Sequence, residues 1–461
     1  MTKSFEMDMT KGPIVKNMII YALPILGINI VQLLFNAADV TILGIFTSDS
    51  AVAAVGSTTA LVNLIIGFFI GLSLSANVLV ARYMGARDVE KSRRLVGCAV
   101  CLSLVVGVFL ALIGFLCSRT FLIWMKCDQA VLNMATKYMQ IYFLGMPIIM
   151  LYNFCASIMR AVGDTVRPLI FLIVGGVLNI GLNIFFILVL GKDVEGVAIA
   201  TVASQAVAAV LSIAVLVKSN GYAKLEKKYL RIYKGELSEI IKYGLPIGVQ
   251  RCLFSLSNVV VASTINTYGE QVVAANTIGH QFDAIVHDSA DAFAMATMAF
   301  VSQNIGAQNF KRVWQVLFRS LIIVSSVALI AGALCVLFRK QLCDIMTNDV
   351  EIIEYASMRI MTLSFFHFLT GTMNVFANLL RGMGKNLSAM ISCLACTCGF
   401  RILWIKTIYL LNPTLKMIYA VYPISWALCL ICYLIIAIPS LKKLQSNSEN
   451  IKREIGQNEI A

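Results

Sequence analysis

Asp39 stands inside an apolar run long enough to cross a bilayer, Tyr21 to Ile45, YALPILGINIVQLLFNAADVTILGI. An ionised Asp at a bilayer centre costs roughly 2.5 to 3.5 kcal/mol on insertion scales, so it is expected to face a polar cavity or a partner and to mark an ion or proton path. The plain alternative is a packing helix whose Asp snorkels to the nearer surface, close to the polar Thr47 to Ser50 segment. Pro24 and Gly27 predict a bend in the same run, tolerated where neighbouring helices or a cavity satisfy the backbone.

A second polar set lies at 280 to 291, HQFDAIVHDSAD. At about 100° per residue, His280, His287 and Asp291 fall within roughly 40° of one another, with Asp283 near one edge and Asp288 off the other. A helix face with two imidazoles and several acids has the makings of a proton relay or a seat for a cationic ligand. Arg251 on the preceding span and Arg401 further on are candidate partners. An ion-pair network is the alternative, and buried pairs of that kind are weak evidence for function. Three acids are nevertheless more than two arginines need. His367, alone in an apolar run, reads as a satisfied packing histidine.

The elements that must hold these residues are membrane helices. The chain has 461 residues, of which 59% are hydrophobic and 13% charged, with a mean hydropathy of +0.84, against about 25% charged in soluble chains. Apolar runs of about 20 residues give twelve candidate spans, the weakest of them near residues 288 and 367. The net charge of +13 does not point to nucleic acid. About 25 of the Lys and Arg fall in alternate loops and the two ends of the chain, which predicts cytoplasmic termini by the positive-inside rule. The first apolar run exceeds a signal-peptide core and lacks a small-residue cleavage site, so the chain is expected to stay in the membrane uncleaved.

The thirteen cysteines lie mostly inside apolar spans. Cys98 with Cys101, and Cys393, Cys396 and Cys398, have metal-like spacing, but no His or acid accompanies them, and they read as small packing residues rather than a metal site or a disulfide framework. No GxxxxGK[ST] loop is present, so ATP is not indicated as the energy source, and no nucleophile or metal constellation suggests an enzyme.

The chain also repeats itself. YALP at 21 to 24 recurs as YGLP at 243 to 246, and at that displacement of 222 Asn36 falls on Asn258. After a one-residue shift the register is 221, and Val80, Gly85 and Ala86 meet Val301, Gly306 and Ala307, while Asn153, Arg160 and Gly163 meet Asn374, Arg381 and Gly384. The expected organisation is an all-α polytopic membrane protein of twelve transmembrane helices in two six-helix lobes. Its segments are a cytoplasmic leader (1–13), an N-lobe (14–219), a cytoplasmic connector (220–239), a C-lobe (240–440) and a charged tail (441–461) expected to be disordered. The connector mixes Lys with Tyr, Leu and Ile at helical spacing and reads as an amphipathic surface helix or a solvated linker. With six spans per half, the copies are related by an axis along the membrane normal and a substrate path runs between them.

NAADVTILG (36 to 44), GARD and GAQN (85 to 88 and 306 to 309), LRGMG (380 to 384), MRAVGDTVRP (159 to 168) and GVAIATVASQ (196 to 205) together resemble the multidrug and toxic compound extrusion (MATE) antiporters, over nearly the whole chain. The resemblance implies two six-helix lobes forming a V and export of organic cations in exchange for H+ or Na+. It also implies an N-lobe cation site at Asp39, Asn179, Asn183 and Thr201, with Asn183 where the family commonly has Asp. Asn179 and Asn183, four apart on a helix, share one face and can converge on an ion or on Asp39; interhelical hydrogen bonding is the alternative role. A single carboxylate weakens the case for sodium and favours simple protonation of Asp39. Beyond H+ or Na+ as coupling ion, no cofactor or metal is expected. The expected partners are small organic cations or drugs and the lipid bilayer of the cell (plasma or inner) membrane, without nucleic acid or an obligatory protein partner. The rival reading is a flippase for lipid-linked oligosaccharide or another anionic lipid, for which Arg251 and Arg401 give some footing and against which the acids of 283 to 291 stand.

Overall fold

The computed structural model describes residues 6–458, and every regular element among them is helical. The first half runs α1 (Ile14–Phe46), α2 (Asp49–Gly85), α3 (Val89–Trp124), α4 (Leu132–Leu144), α5 (Met146–Ala161), α6 (Val166–Ile184) and α7 (Val194–Lys218). The second runs α8 (Lys234–Ile265), α9 (Glu270–Gly306), α10 (Phe310–Leu337), α11 (Arg339–Asp344), α12 (Val350–Leu363), α13 (His367–Met383), α14 (Asn386–Cys393), α15 (Phe400–Lys406), α16 (Ile408–Leu411) and α17 (Leu415–Asn458). Ten spans are long and apolar enough to cross a membrane, and α4 with α5, bent by 50°, forms an eleventh. The twelfth is α9, 37 residues long and too polar to register by composition, because it carries the acids at 283, 288 and 291. The chain is thus an all-α polytopic membrane protein of twelve spans built from an internal repeat.

The repeat is visible in backbone detail. Arg87 (φ 59°) and Gln308 (φ 53°) take left-handed conformations 221 residues apart. Each is followed by a side-chain helix cap, Asp88 Oδ1 accepting from Lys91 N–H and Asn309 Oδ1 from Arg312 N–H. Gly163 (φ 90°) and Gly384 (φ 83°), 221 apart, end α5 and α13 in the left-handed region that favours glycine. Just before them Arg160 donates to Ser157 Oγ and Arg381 to Asn378 Oδ1, each at 3.0 Å, so the two arginines anchor helix ends. Gly384→Ala is expected to lower stability by about 1 kcal/mol. At Gly163 a Cβ would lie 2.5 Å from Met7 Cβ and 3.0 Å from Met7 N, so Gly163→Ala is expected to cost more than the backbone strain alone. Thermal melting of the two variants in detergent checks the order.

Two compact units make up the described chain. One comprises residues 6–8 and 24–248, the other 9–23 and 249–458. α1 therefore passes from the second unit into the first at Pro24, and α8 from the first into the second just after Pro246. The helix is continuous through both prolines.

The connector is neither a surface helix nor a solvated linker. Apart from a short turn at Lys227–Tyr229 it is irregular until α8 begins at Lys234. Residues 220–226 strap onto α3: Arg93 pairs with Glu226 and donates to the carbonyls of Asn220 and Gly221, and Ser92 Oγ donates to Tyr222 O at 3.0 Å. Ala223 and Leu225 are buried in the first unit's core. Helical spacing misread the segment because its apolar residues join the first unit's core from an irregular backbone rather than from one face of a helix. The tail is not disordered as expected, since α17 continues as helix to Asn458. Trp314 donates through Nε1 to Gln445 Oε1 at 3.2 Å, which fastens that extension to α10. The last three residues lie outside the described part.

Candidate functional site

Within the first unit, α1, α2, α4, α5, α6 and α7 enclose a cavity of about 290 Å³. Its wall includes Asp39, Asn36, Tyr142, Asn179, Thr201 and Gln205. Glycines on α6 make the room: a Cβ at Gly176 would run into the Phe35 ring of α1, so only glycine allows that close approach.

Across this cavity runs a chain of polar side chains. Asn183 Nδ2 donates to Asp39 Oδ1 at 2.6 Å and lies 3.4 Å from Asn179 Oδ1; Asn179 Nδ2 reaches Thr201 Oγ1 at 3.4 Å. Thr201 in turn donates to Val197 O at 2.9 Å. Asn183 is fully buried and Asn179 nearly so, whereas Asp39 is half-buried and opens to the cavity. The four positions expected from sequence are thus brought together. Asp39 turns inward to a partner and does not snorkel. Both roles weighed for the asparagines are in play, since the pair bonds between helices and converges on the carboxylate. One acceptor has no partner: Asn183 Oδ1 is buried and unbonded among the described residues. The Asp39 carboxylate accepts the Asn183 amide, and the cavity open to it lets an ion or proton arrive. Gln205 and Tyr142 escaped the sequence reading; four residues beyond Thr201, Gln205 falls on the same α7 face, and that spacing was the available signal.

The second unit disperses the polar face of α9. Asp283 is buried and receives Arg359 Nε at 3.0 Å and Ser364 Oγ at 3.1 Å. Arg359 also donates through Nη1 to Asn276 Oδ1 at 2.5 Å and lies over the Tyr419 and Tyr422 rings at 5.4 and 5.9 Å. Asp291 accepts from Asn374 Nδ2 at 3.0 Å. His287 Nδ1 is 3.2 Å from Asp288 Oδ1, both of them substantially exposed. His280 is exposed and has no hydrogen-bond partner among the described residues. Asp283, His287 and Asp291 share an angular sector of α9 but bond to different neighbours.

The arginine that answers Asp283 is Arg359, not Arg251 or Arg401. Arg251 is exposed, and Arg401, 1% exposed, donates to Ser425 Oγ at 3.0 Å and Asn258 Oδ1 at 2.8 Å, with the Tyr422 ring 4.6 Å away. Arg359 was legible in principle, since an arginine within a span is itself a flag. His367 is not a satisfied packing residue. It is buried, its Nε2 is 3.6 Å from Asp283 Oδ1, neither ring nitrogen has a hydrogen-bond partner, and its ring lies against Trp426 at 5.3 Å and His287 at 6.4 Å.

The chain is thus a repeated set of membrane helices whose first unit holds a polar cavity with one carboxylate, Asp39, in its wall. The MatE family model matches residues 24–185 and 246–405, one match per repeat, and the chain belongs to this family, whose members are transporters and not enzymes. It is similar to the probable multidrug resistance protein YoeA of Bacillus subtilis, at 27% identity over 82% of this chain and 83% of the relative, and to the probable multidrug resistance protein NorM of Thermotoga maritima, at 27% over 82% of each. Among solved structures it resembles a MOP superfamily transporter from Pyrococcus furiosus, with a TM-score of 0.88, 23% identity and coverage of 96% and 99% of the two chains. An outward-facing multidrug resistance MATE family transporter gives a TM-score of 0.86 at 22% identity, covering 96% and 98%. At these identities the likeness to the solved structures is one of fold.

Proposed function

We propose that this protein is a secondary active multidrug efflux transporter of the cell membrane, with both termini cytoplasmic, exporting organic cations in exchange for a coupling ion that acts at Asp39. One observation carries the reading: the carboxylate opens into a cavity within the span and is held by Asn183, which stands in line with Asn179 and Thr201. The multidrug resistance names of relatives at 27% identity support the substrate class. Of the two ions, H+ fits the site better than Na+. With Asn183 beside Asp39 rather than a second acid, the site carries one carboxylate and is less negative for a sodium ion, whereas a proton needs only that carboxylate. Protonation would favour one arrangement of the transporter and drug binding the other, each through its differential affinity for the two states. The flippase reading is the less favoured one, since of its two candidate arginines Arg401 is buried and committed to Ser425 and Asn258.

The test is ethidium movement in proteoliposomes under an imposed pH gradient or an imposed sodium gradient. Movement driven by the pH gradient and indifferent to sodium is expected. Movement driven by sodium alone would transfer the coupling role to that ion, and movement under neither would overturn the efflux reading.

A further inference from the structure

The second unit contains four thiols the transport site does not use. Cys393 and Cys396 stand three apart at the end of α14 and in the π-helical turn Leu394–Gly399 that follows; Cys429 and Cys432 stand three apart on α17. Three apart on a helix is one face, so two CxxC pairs on neighbouring helices can confront each other, and they do. Cys396 Sγ and Cys432 Sγ are 3.3 Å apart, and the Cys393 side chain lies beside that of Cys429. Sequence reading saw the first pair without its counterpart 36 residues on.

Buried cysteines are ordinarily small apolar fillers. The repeat argues that this helix pair does not need them as such: 221 residues earlier the same four positions are Leu172, Gly175, Ala208 and Leu211. Four sulfurs facing one another where the twin unit packs with hydrocarbon is a constellation, not a filling. The π-turn widens the backbone at Cys396, and such turns inside helices recur at functional sites. The two pairs differ in access. Cys393 and Cys429 are buried, whereas Cys396 and Cys432 are half-buried beside the exposed apolar side chains Ile391, Ile431 and Ile435. That surface lies within spans, so a reagent reaching the outer pair arrives through lipid.

We propose that Cys396 and Cys432 form a redox-active dithiol that a lipid-soluble quinone oxidises to a disulfide joining the π-turn to α17. Two S–H bonds break and one S–S bond forms; two electrons and two protons pass to the quinone, which leaves as the hydroquinone. The sulfurs stand 3.3 Å apart, against a bonded distance of about 2.05 Å.

The test uses the full chain in liposomes containing a fully methylated benzoquinone, which has no open ring position for thiols to add to. The expected result is that two of the thirteen thiols disappear, one hydroquinone forms per chain, and peptide mapping without reductant joins the peptides of Cys396 and Cys432. A dithiol reductant restores all thirteen. Cys396→Ser and Cys432→Ser should keep their twelve thiols under the same treatment, and Cys393→Ser should still lose two. Thirteen intact thiols in the quinone-treated wild type, or a linkage through any other pair, would overturn the proposal, and the wild-type map decides even where a variant fails to fold.

Discussion

Asp39→Asn is expected to reduce gradient-driven ethidium transport to the rate of protein-free liposomes, while the variant remains folded and still binds ethidium. The substitution keeps the shape of the side chain and an oxygen at the Oδ1 position, so Asn183 Nδ2 retains its acceptor. What is lost is the titratable group. A coupled antiporter works because the ion and the drug prefer different states, and removing one ligand's binding group removes its bias on the equilibrium however well the other still binds. A neutral-for-charged hydrogen bond weakens the contact by about 1 to 2 kcal/mol, a modest fraction of the stability of a chain this size. Melting temperature and size-exclusion profile should therefore stay near wild type, and ethidium equilibrating down its own concentration gradient should persist. Asp39→Glu keeps a carboxyl on a longer arm and should restore part of the coupled rate. Full gradient-driven transport in Asp39→Asn would remove Asp39 from the coupling role and leave the Asn183, Asn179 and Thr201 chain as interhelical packing.

What could be read from sequence divides along a physical line. Asp39 was legible because hydrocarbon makes an isolated acid costly, and Asn179, Asn183 and Thr201 because a resemblance placed them beside it. The twelve spans and the repeat followed from apolar runs and a register that held to Gly163 and Gly384. Angular position on α9 told which residues share a sector, but not which neighbouring helix each side chain meets. Asp283 is answered by Arg359 on α12 and Asp291 by Asn374 on α13, and pairing across 76 and 83 residues leaves no periodic trace. The exchange of helix starts between the two units was illegible for a similar reason. Hydropathy sees one continuous span in α1, whereas its partners change at Pro24. The cysteine quartet was half legible: CxxC spacing marks a face, and only tertiary structure supplies the opposing one.

Asp283→Ala should be the most destabilising single change in the second unit. It leaves the Arg359 guanidinium, whose side chain is 4% exposed, with Asn276 Oδ1 and two tyrosine faces but no anion. Removing one partner of a buried pair costs about 3 to 5 kcal/mol, because the survivor is a charge without compensation. Ser364 and His367 lose their acceptor or neighbour at the same time. On the scaling of larger domains the apparent melting temperature should fall by roughly 5 to 10 °C. Replacing both partners together, Asp283→Leu with Arg359→Met, removes the charge problem and fills the space with hydrocarbon, which is often neutral or better. The double variant should therefore melt well above Asp283→Ala, and the double-mutant cycle should show a large coupling between the two positions. Transport separates the remaining readings. If Asp283 serves the architecture, the stable double variant carries ethidium under the same gradient that drives the wild type. If it instead exchanges a proton during the cycle, the double variant is stable and inactive, and the coupling machinery then extends beyond Asp39 into the second repeat.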